Sequence, residues 1–319
     1  MPFRPDPFLI SLIATVILAS VFPCHGAAVP IFQNLAIIVI AIMFFLQGAR
    51  LSREEMVKGL THWRLHLVIL ACTFVLFPFL GMALHSLAPG LVSNDVWLGI
   101  LFLCCLPSTV QSSIAFTSIA RGNIPAAICA ATASNILGIF ITPLLVGLVL
   151  AKQGAGGGGV MAIVLQLLLP FILGQLLQPV IGDWARRNKK LLSFTDRGSI
   201  LIVVYTAFSE AVMQGLWSRL PPSQIGMIAL IDAVLLALLL IITSVGSKLL
   251  GFSTEDEITI TFCGSKKTLA SGVPMANVLF PPATVGSVVL PLMLYHQIQL
   301  FACAALARYF ARRPDTTTD

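Results

Sequence analysis

Ten apolar runs of membrane-crossing length follow one another along this chain, at about residues 7–24, 30–49, 65–87, 96–119, 123–151, 160–182, 196–217, 224–250, 256–281 and 286–311. A bilayer's hydrocarbon core is about 30 Å thick, so a helix rising ~1.5 Å per residue needs about 20 apolar residues to cross it. Lipid offers no partner for backbone N–H and C=O groups, which confines such runs to helices that satisfy themselves. The expected class is an all-α polytopic membrane protein. Composition agrees: the chain is 57% hydrophobic and 10% charged, against about 25% charged in soluble domains. The joints are short and turn-like, among them HGAAVP, ARGN, KQGAGGGG and PPSQ.

The basic residues orient these runs. The start, MPFRPDPFLISLIATVILASV, has an apolar core longer than a signal peptide's, and the following Phe22-Pro23-Cys24-His25 is a poor cleavage site, so it is read as a retained first span. With the N-terminus cytoplasmic, that side collects fifteen Lys and Arg residues, including Arg50, Arg64, Arg121, Arg197, Lys248 and Arg313. The other side collects two, Lys152 and Arg219. This asymmetry places both termini in the cytoplasm of a multi-pass plasma-membrane protein, such as one of a bacterial inner membrane. The net charge of +6 is therefore a topology signal. No basic face with interleaved aromatics points to nucleic acid, and the partner read from composition is the bilayer.

The glycine run 154–159 divides the runs into five and five. An odd number per half forces inversion, which predicts two inverted five-helix repeats over 1–153 and 158–313, one transporter domain over 1–319, and a cytoplasmic tail at 314–319. Spans four and nine hold equivalent places in the two halves and both are interrupted, and broken helices at equivalent positions point to a transporter's binding site.

Span nine contains FCGSKKTLASGVPMA, residues 262–276. Lys266 lies nine residues past Glu257, or roughly 14 Å along a helix, so a straight helix would hold Lys266 and Lys267 near mid-membrane. By insertion scales each lysine costs roughly 2.5–3.5 kcal/mol there. Adjacent helical residues point about 100° apart, so the two ammonium groups need different partners unless the helix unwinds at Gly264. Ser265, Thr268 and the helix-breaking Pro274 belong to the same segment. A short re-entrant pair with the lysines at a wet loop tip is the competing reading.

Span four contains CCLPSTVQSSIAFTSIARGN. Pro107 removes a backbone donor and frees carbonyls, and Ser108, Thr109, Gln111, Ser112, Ser113, Thr117 and Ser118 follow it. Hydroxyls, an amide and freed carbonyls suit a hard cation or a polar substrate; hydroxyls bonded back to their own helix are the plainer alternative. Thr132, Ser134 and Asn135 on span five, and Thr73 before Pro78 on span three, complete the polar set. Glu210 and Asp232 sit toward the non-cytoplasmic ends of spans seven and eight and are expected near the interface. Asp95 and the run Glu255-Asp256-Glu257 are expected in solvent. Seven cysteines without a C-x-x-C pair read as small buried hydrophobes, and His66, His85 and His296 as structural.

LPSTVQSSIAFTSIARGN with the following ITPLL, together with GSKKTLASGVPMA and MFFLQGARLSREE, resembles the bile acid:sodium symporter family, in the branch related to the orphan human member and its bacterial homologues. The resemblance covers essentially the whole chain. It implies spans four and nine crossing at their breaks, substrate in the cavity beside them, and coupling of organic anion or bile acid uptake to sodium. The first sodium site's ligands would fall on Ser112, Ser113 and Thr132, and the second site's glutamine near Thr73. The family's glutamate and glutamine on span nine correspond to Thr261 and Ser265, with the two lysines alongside. Two like charges about 4 Å apart repel by around 4 kcal/mol at an effective dielectric of 20. This predicts that a lysine stands in for a sodium ion or attracts an anionic substrate; lysines that only tie up carbonyls of the broken helices are the opposed reading.

The expected function is secondary active transport of a small organic anion, with Na+ as coupling ion, H+ as the alternative, and no other cofactor. No G-x-x-x-x-G-K-[ST] motif supports a primary pump. No H-E-x-x-H, G-x-S-x-G or paired aspartates support an intramembrane enzyme. The second functional reading is a non-transporting membrane regulator of ion homeostasis.

Overall fold

The computed structural model describes residues 7–50, 62–151 and 164–313. All regular structure among them is helical. The helices are α1 Pro7–Val21, α2 Ala28–Arg50, α3 Trp63–Leu87, α4 Asn94–Cys105, α5 Gln111–Ile119, α6 Ile124–Ala151, α7 Leu169–Leu176, α8 Gln178–Arg187, α9 Lys189–Met213, α10 Pro222–Leu249, α11 Thr254–Gly264, α12 Leu269–Leu279 and α13 Pro282–Ala311.

The ten spanning helices in two inverted five-helix repeats are corrected by this structure. Among the described residues six helices, α2, α3, α6, α9, α10 and α13, are long and apolar enough to cross a membrane. Counting the bent pair 165–176 and 178–185 as one span brings the number to seven. Apolar composition counts runs, whereas crossing requires continuous helix. Span one is a helix of 15 residues. Span four divides into α4 and α5 around a non-helical Leu106–Val110, and span nine into α11 and α12 around Ser265–Thr268. Span six turns through 92° after Leu176. The glycines 154–159, Lys152 and the tail 314–319 lie outside the described residues. Exposed apolar side chains such as Ile17, Ile38, Leu144, Leu148 and Ile241 give the surface that a bilayer covers.

The chain forms two compact units. The first comprises Met1–Arg53, Gly156–Ile225 and Ala270–Leu290. Within it α2 lies against α7 at backbone distance. A Cβ on Gly48 would overlap the Phe171 carbonyl, and one on Gly174 would overlap that of Phe45; small residues are what let membrane helices approach this closely. Arg50 makes a forked pair with Asp196 at 2.8 and 3.0 Å, joining α2 to α9. At the other end Tyr205 donates to the Phe22 carbonyl, and Trp217 donates to the Ser20 hydroxyl, both at 3.0 Å.

The second unit comprises Glu54–Ala155, Gly226–Leu269 and Pro291–Asp319. Its core packs Ile260 and Cys263 of α11 against Leu65 and Ile69 of α3 and Ala126, Ala127 and Ala130 of α6. The Ser253 hydroxyl accepts from the Asp256 N–H and caps α11. The acidic first turn of α11 was expected in solvent; Glu255 is exposed there, Asp256 is half-buried and Glu257 is buried, and each of the three is paired. Asp256 accepts from the Asn123 amide at 2.8 Å, and Glu255 meets Arg313 at 3.0 Å. Glu257 is 4% exposed, accepts from Ser244 at 2.6 Å and lies 3.4 Å from Lys248. Residue type alone puts carboxylates at a helix N-terminus beside the positive end of its dipole; only the fold brings Asn123, Ser244 and Lys248 to them. Asp232 corrects the sequence in the same direction. It is fully buried on α10, and neither carboxylate oxygen has a hydrogen-bond partner among the described residues.

Candidate functional site

The breaks of spans four and nine meet in the second unit, and backbone chemistry holds them. The Thr268 N–H donates to the Pro107 carbonyl at 3.1 Å. Ser108 Oγ donates to the Cys263 carbonyl at 2.6 Å, and Ser113 Oγ to that of Phe262 at 3.2 Å. Both carbonyls end α11, where a helix leaves its last acceptors without intrahelical donors. The Ser108 N–H, released by Pro107 from helical bonding, donates to Ser134 Oγ on α6 at 3.1 Å. Thr142, also on α6, donates to the Cys105 carbonyl at 2.9 Å.

Lys267 sits at the centre of this arrangement and is fully buried. Its ammonium donates to three backbone carbonyls, those of Thr73 at 2.9 Å, Cys104 at 2.8 Å and Leu106 at 2.6 Å. It also lies 4.0 Å from the centre of the Phe77 ring. The prolines explain why these carbonyls are available. Cys104 lacks its helical donor because the Ser108 N–H is turned to Ser134. In α3, residues 72–76 form a π-helical turn in which the Phe77 N–H bonds to the Cys72 carbonyl. The next donor in that register would be residue 78, a proline with no N–H, so the Thr73 carbonyl is left to Lys267. The Lys267 peptide is clamped as well. Gln299 of α13 accepts from its N–H and donates to its carbonyl, each at 2.9 Å. Tyr295 donates to the neighbouring Ser265 carbonyl at 2.7 Å.

Lys266 points elsewhere and is also fully buried. It donates to one oxygen, the Ser112 carbonyl on α5, at 2.8 Å. Phe116 and Phe262 stand 3.9 and 5.3 Å from its nitrogen, within cation–π range. An ammonium carries three donors, so among the described residues two of them meet no oxygen. The Ser112 hydroxyl is buried and has no hydrogen-bond partner, and the Thr261 hydroxyl is in the same condition.

The remaining sequence candidates fall as follows. Gln111 is exposed at the start of α5, while Thr132 and Asn135 are half-buried on α6. Thr73 Oγ1 bonds back to Ile69, and its carbonyl is what reaches the site. Ser265 Oγ bonds back to Thr261. Gly264 ends α11, where a Cβ would stand 3.2 Å from that of Cys72. Pro274 lies inside α12, which continues through it, so the break is at Ser265–Thr268. Glu210 belongs to the first unit and accepts from Gln33 at 3.0 Å. Sequence reasoning missed Gln299, Tyr295, Phe77 and Phe116. An amide and a phenol inside the apolar run 286–311 were the available signal, since polar groups in a span seek partners; the rings carry none.

As a sodium site the set Ser112, Ser113 and Thr132 is weak. Ser113 Oγ is committed to the Phe262 carbonyl, and an ammonium occupies the Ser112 carbonyl. No group of three or more His, Cys, Asp or Glu residues suited to a metal occurs among the described residues.

Comparisons with known proteins agree with a transporter core. A protein of Pseudomonas aeruginosa is 56% identical over 316 residues, 98% of this chain and 95% of the relative. YfeH of Escherichia coli, named as a candidate symporter, is 53% identical over 312 residues, covering 97% and 94%. Sodium/bile acid cotransporter 7-B of Xenopus laevis is 28% identical over 313 residues, covering 95% and 91%. The model of the SBF-like CPA transporter family matches residues 6–312, nearly the whole chain with both broken helices inside the match, and the chain belongs to that family.

Proposed function

We propose that this protein is a secondary transporter of a small organic anion, with the Lys266 ammonium as the group that meets the anion's charge. One observation carries the reading: a fully buried ammonium donates to a single oxygen, while its neighbour one residue away fills all three donors. Charge-assisted hydrogen bonds to a carboxylate or sulfonate are roughly twice as strong as neutral ones, and the unpartnered Ser112 hydroxyl beside Lys266 offers one more donor. The names of the relatives support the same class, a symporter in Escherichia coli and sodium/bile acid cotransporters in frog and rat. The coupling ion is Na+ or H+. A second fixed cation near the lysines is opposed by about 4 kcal/mol at 4 Å and an effective dielectric of 20, which favours the proton.

The test is uptake into liposomes of labelled taurocholate and a panel of small carboxylates and sulfonates, driven by an imposed sodium gradient or an imposed pH gradient. The expected result is saturable uptake that falls at least ~10-fold in Lys266→Met, or ~1.4 kcal/mol, and is partly kept in Lys266→Arg. Wild-type rates in Lys266→Met would sink the assignment. A folded protein with no saturable flux of any of these anions would turn the reading to a non-transporting regulator.

A further inference from the structure

The first unit contains a carboxylate that the reading above does not use, and its surroundings have the opposite electrostatic character. Two cavities of about 180 Å³ each share Glu210 and Thr206 of α9. One is lined by the amides of Gln33, Gln166 and Asn277 together with Glu210. The other is lined by Phe32, Ser209, Gln214 and the joint Cys24-His25-Gly26. Among the described residues no lysine or arginine lines either cavity. The Ser209 hydroxyl, on a side chain 1% exposed, lines the second cavity and has no hydrogen-bond partner among the described residues. Burial pushes the Cys24 thiol up from its ordinary value, so it adds no charge. His25, Gly26 and Gln214 are exposed, so the second cavity opens at the joint between α1 and α2.

We infer that Glu210 is the anchor of a binding site for a small monovalent cation. The charge of the lining is negative, and its amide and hydroxyl oxygens are the hard donors that cations take. Gln33 donates to Glu210 Oε2 at 3.0 Å and so fixes the carboxylate's direction. Phe32, held against Tyr205 with ring centres 5.1 Å apart, supplies an aromatic wall, which favours an alkylammonium group. A water's share of liquid volume is about 30 Å³, so each cavity has room for a partly hydrated sodium ion or an alkylammonium headgroup. An organic anion placed here would meet the Glu210 carboxylate, with the exposed His25 as the basic side chain among the described lining residues. The two cation sources share one chemistry, and the inference is independent of the role given to Lys266.

The test is the thermal midpoint of the purified full chain in detergent, in sodium, methylammonium, potassium and N-methylglucamine chlorides at matched ionic strength. N-methylglucamine, the bulkiest of the four cations, sets the baseline. A cation that binds the native state raises the midpoint by an expected ~2–5 °C. Glu210→Gln, which keeps a polar partner for Gln33, abolishes the rise. A response to sodium or potassium identifies an inorganic ion, and one to methylammonium alone identifies a solute's ammonium group. Equal midpoints in all four salts, or an undiminished rise in Glu210→Gln, would overturn the site. If Glu210→Gln does not fold, Ser209→Ala and Asn277→Leu serve in its place, since both leave the Gln33–Glu210 bond. Each is expected to weaken the apparent affinity several-fold, and an unchanged response in both overturns the site. The readout needs neither flux nor an anion, so its failure and that of the anion reading are separable.

Discussion

Lys266 and Lys267 are consecutive, equally buried and chemically identical, yet the structure gives them different work. Lys267 fills its three donors with carbonyls from α3 and the span-four break and covers an aromatic ring. Lys266 has one carbonyl and an aromatic wall, which leaves it free to change partner. A buried charge is tolerated when it is paired and hydrogen-bonded, and only the first lysine's neighbour meets that condition in full. Of the two opposed readings of this pair, the structural lock suits the contacts of Lys267, and the substrate contact is proposed for Lys266.

The largest effect that would break this comparison is on folding. Lys267→Met strands three buried carbonyls at ~1–3 kcal/mol each, so the expected loss of stability is at least ~3 kcal/mol, read as a large fall in thermal midpoint or failure to purify. Lys266→Met strands one carbonyl and should cost about 1–2 kcal/mol while removing uptake. The reverse order of midpoints would exchange the two roles. Gln299→Leu comes next. It cuts both bonds to the Lys267 peptide and should cost ~2–3 kcal/mol, and a variant as stable as the wild type would mean that the lysine alone holds the break.

Asp232 sharpens the same contrast from the other sign. Its carboxylate is as buried as the lysines and has no hydrogen-bond partner among the described residues, so Asp232→Leu is expected to raise stability by about 1–2 kcal/mol. A fall instead would show that the native protein satisfies this carboxylate with a bound group. The smallest effect belongs to Ser112→Ala. Its hydroxyl makes no hydrogen bond among the described residues, so the midpoint should move by less than ~0.5 kcal/mol equivalent. A drop in anion uptake without a drop in stability would place that hydroxyl beside Lys266 in binding.

Legibility in the sequence followed the physics of each signal. Apolar runs reported where helix forms, because burial in lipid demands it, but not whether each run stays one helix. Pro107 and the Gly264–Thr268 segment announced their breaks, since a missing N–H and a pair of charges conflict locally with a spanning helix. Pro274 has the same missing N–H, yet α12 continues through it. Glu257 and Asp232 were misplaced toward water, as residue type sets the cost of burial but not who is nearby, while Glu255 is exposed as expected.

The sequence alone thus determined that this is an all-α membrane protein, that spans four and nine are broken where polar residues gather, and that two lysines had to find acceptors inside it. It determined these because composition and backbone valence are properties of short stretches. Only the tertiary structure decided that carbonyls freed by Pro78 and Pro107 converge on Lys267, that Gln299 and Tyr295 clamp its peptide, and that Lys266 keeps donors in reserve. Those contacts join residues up to 194 positions apart, and no local pattern encodes which distant carbonyl a buried ammonium will reach.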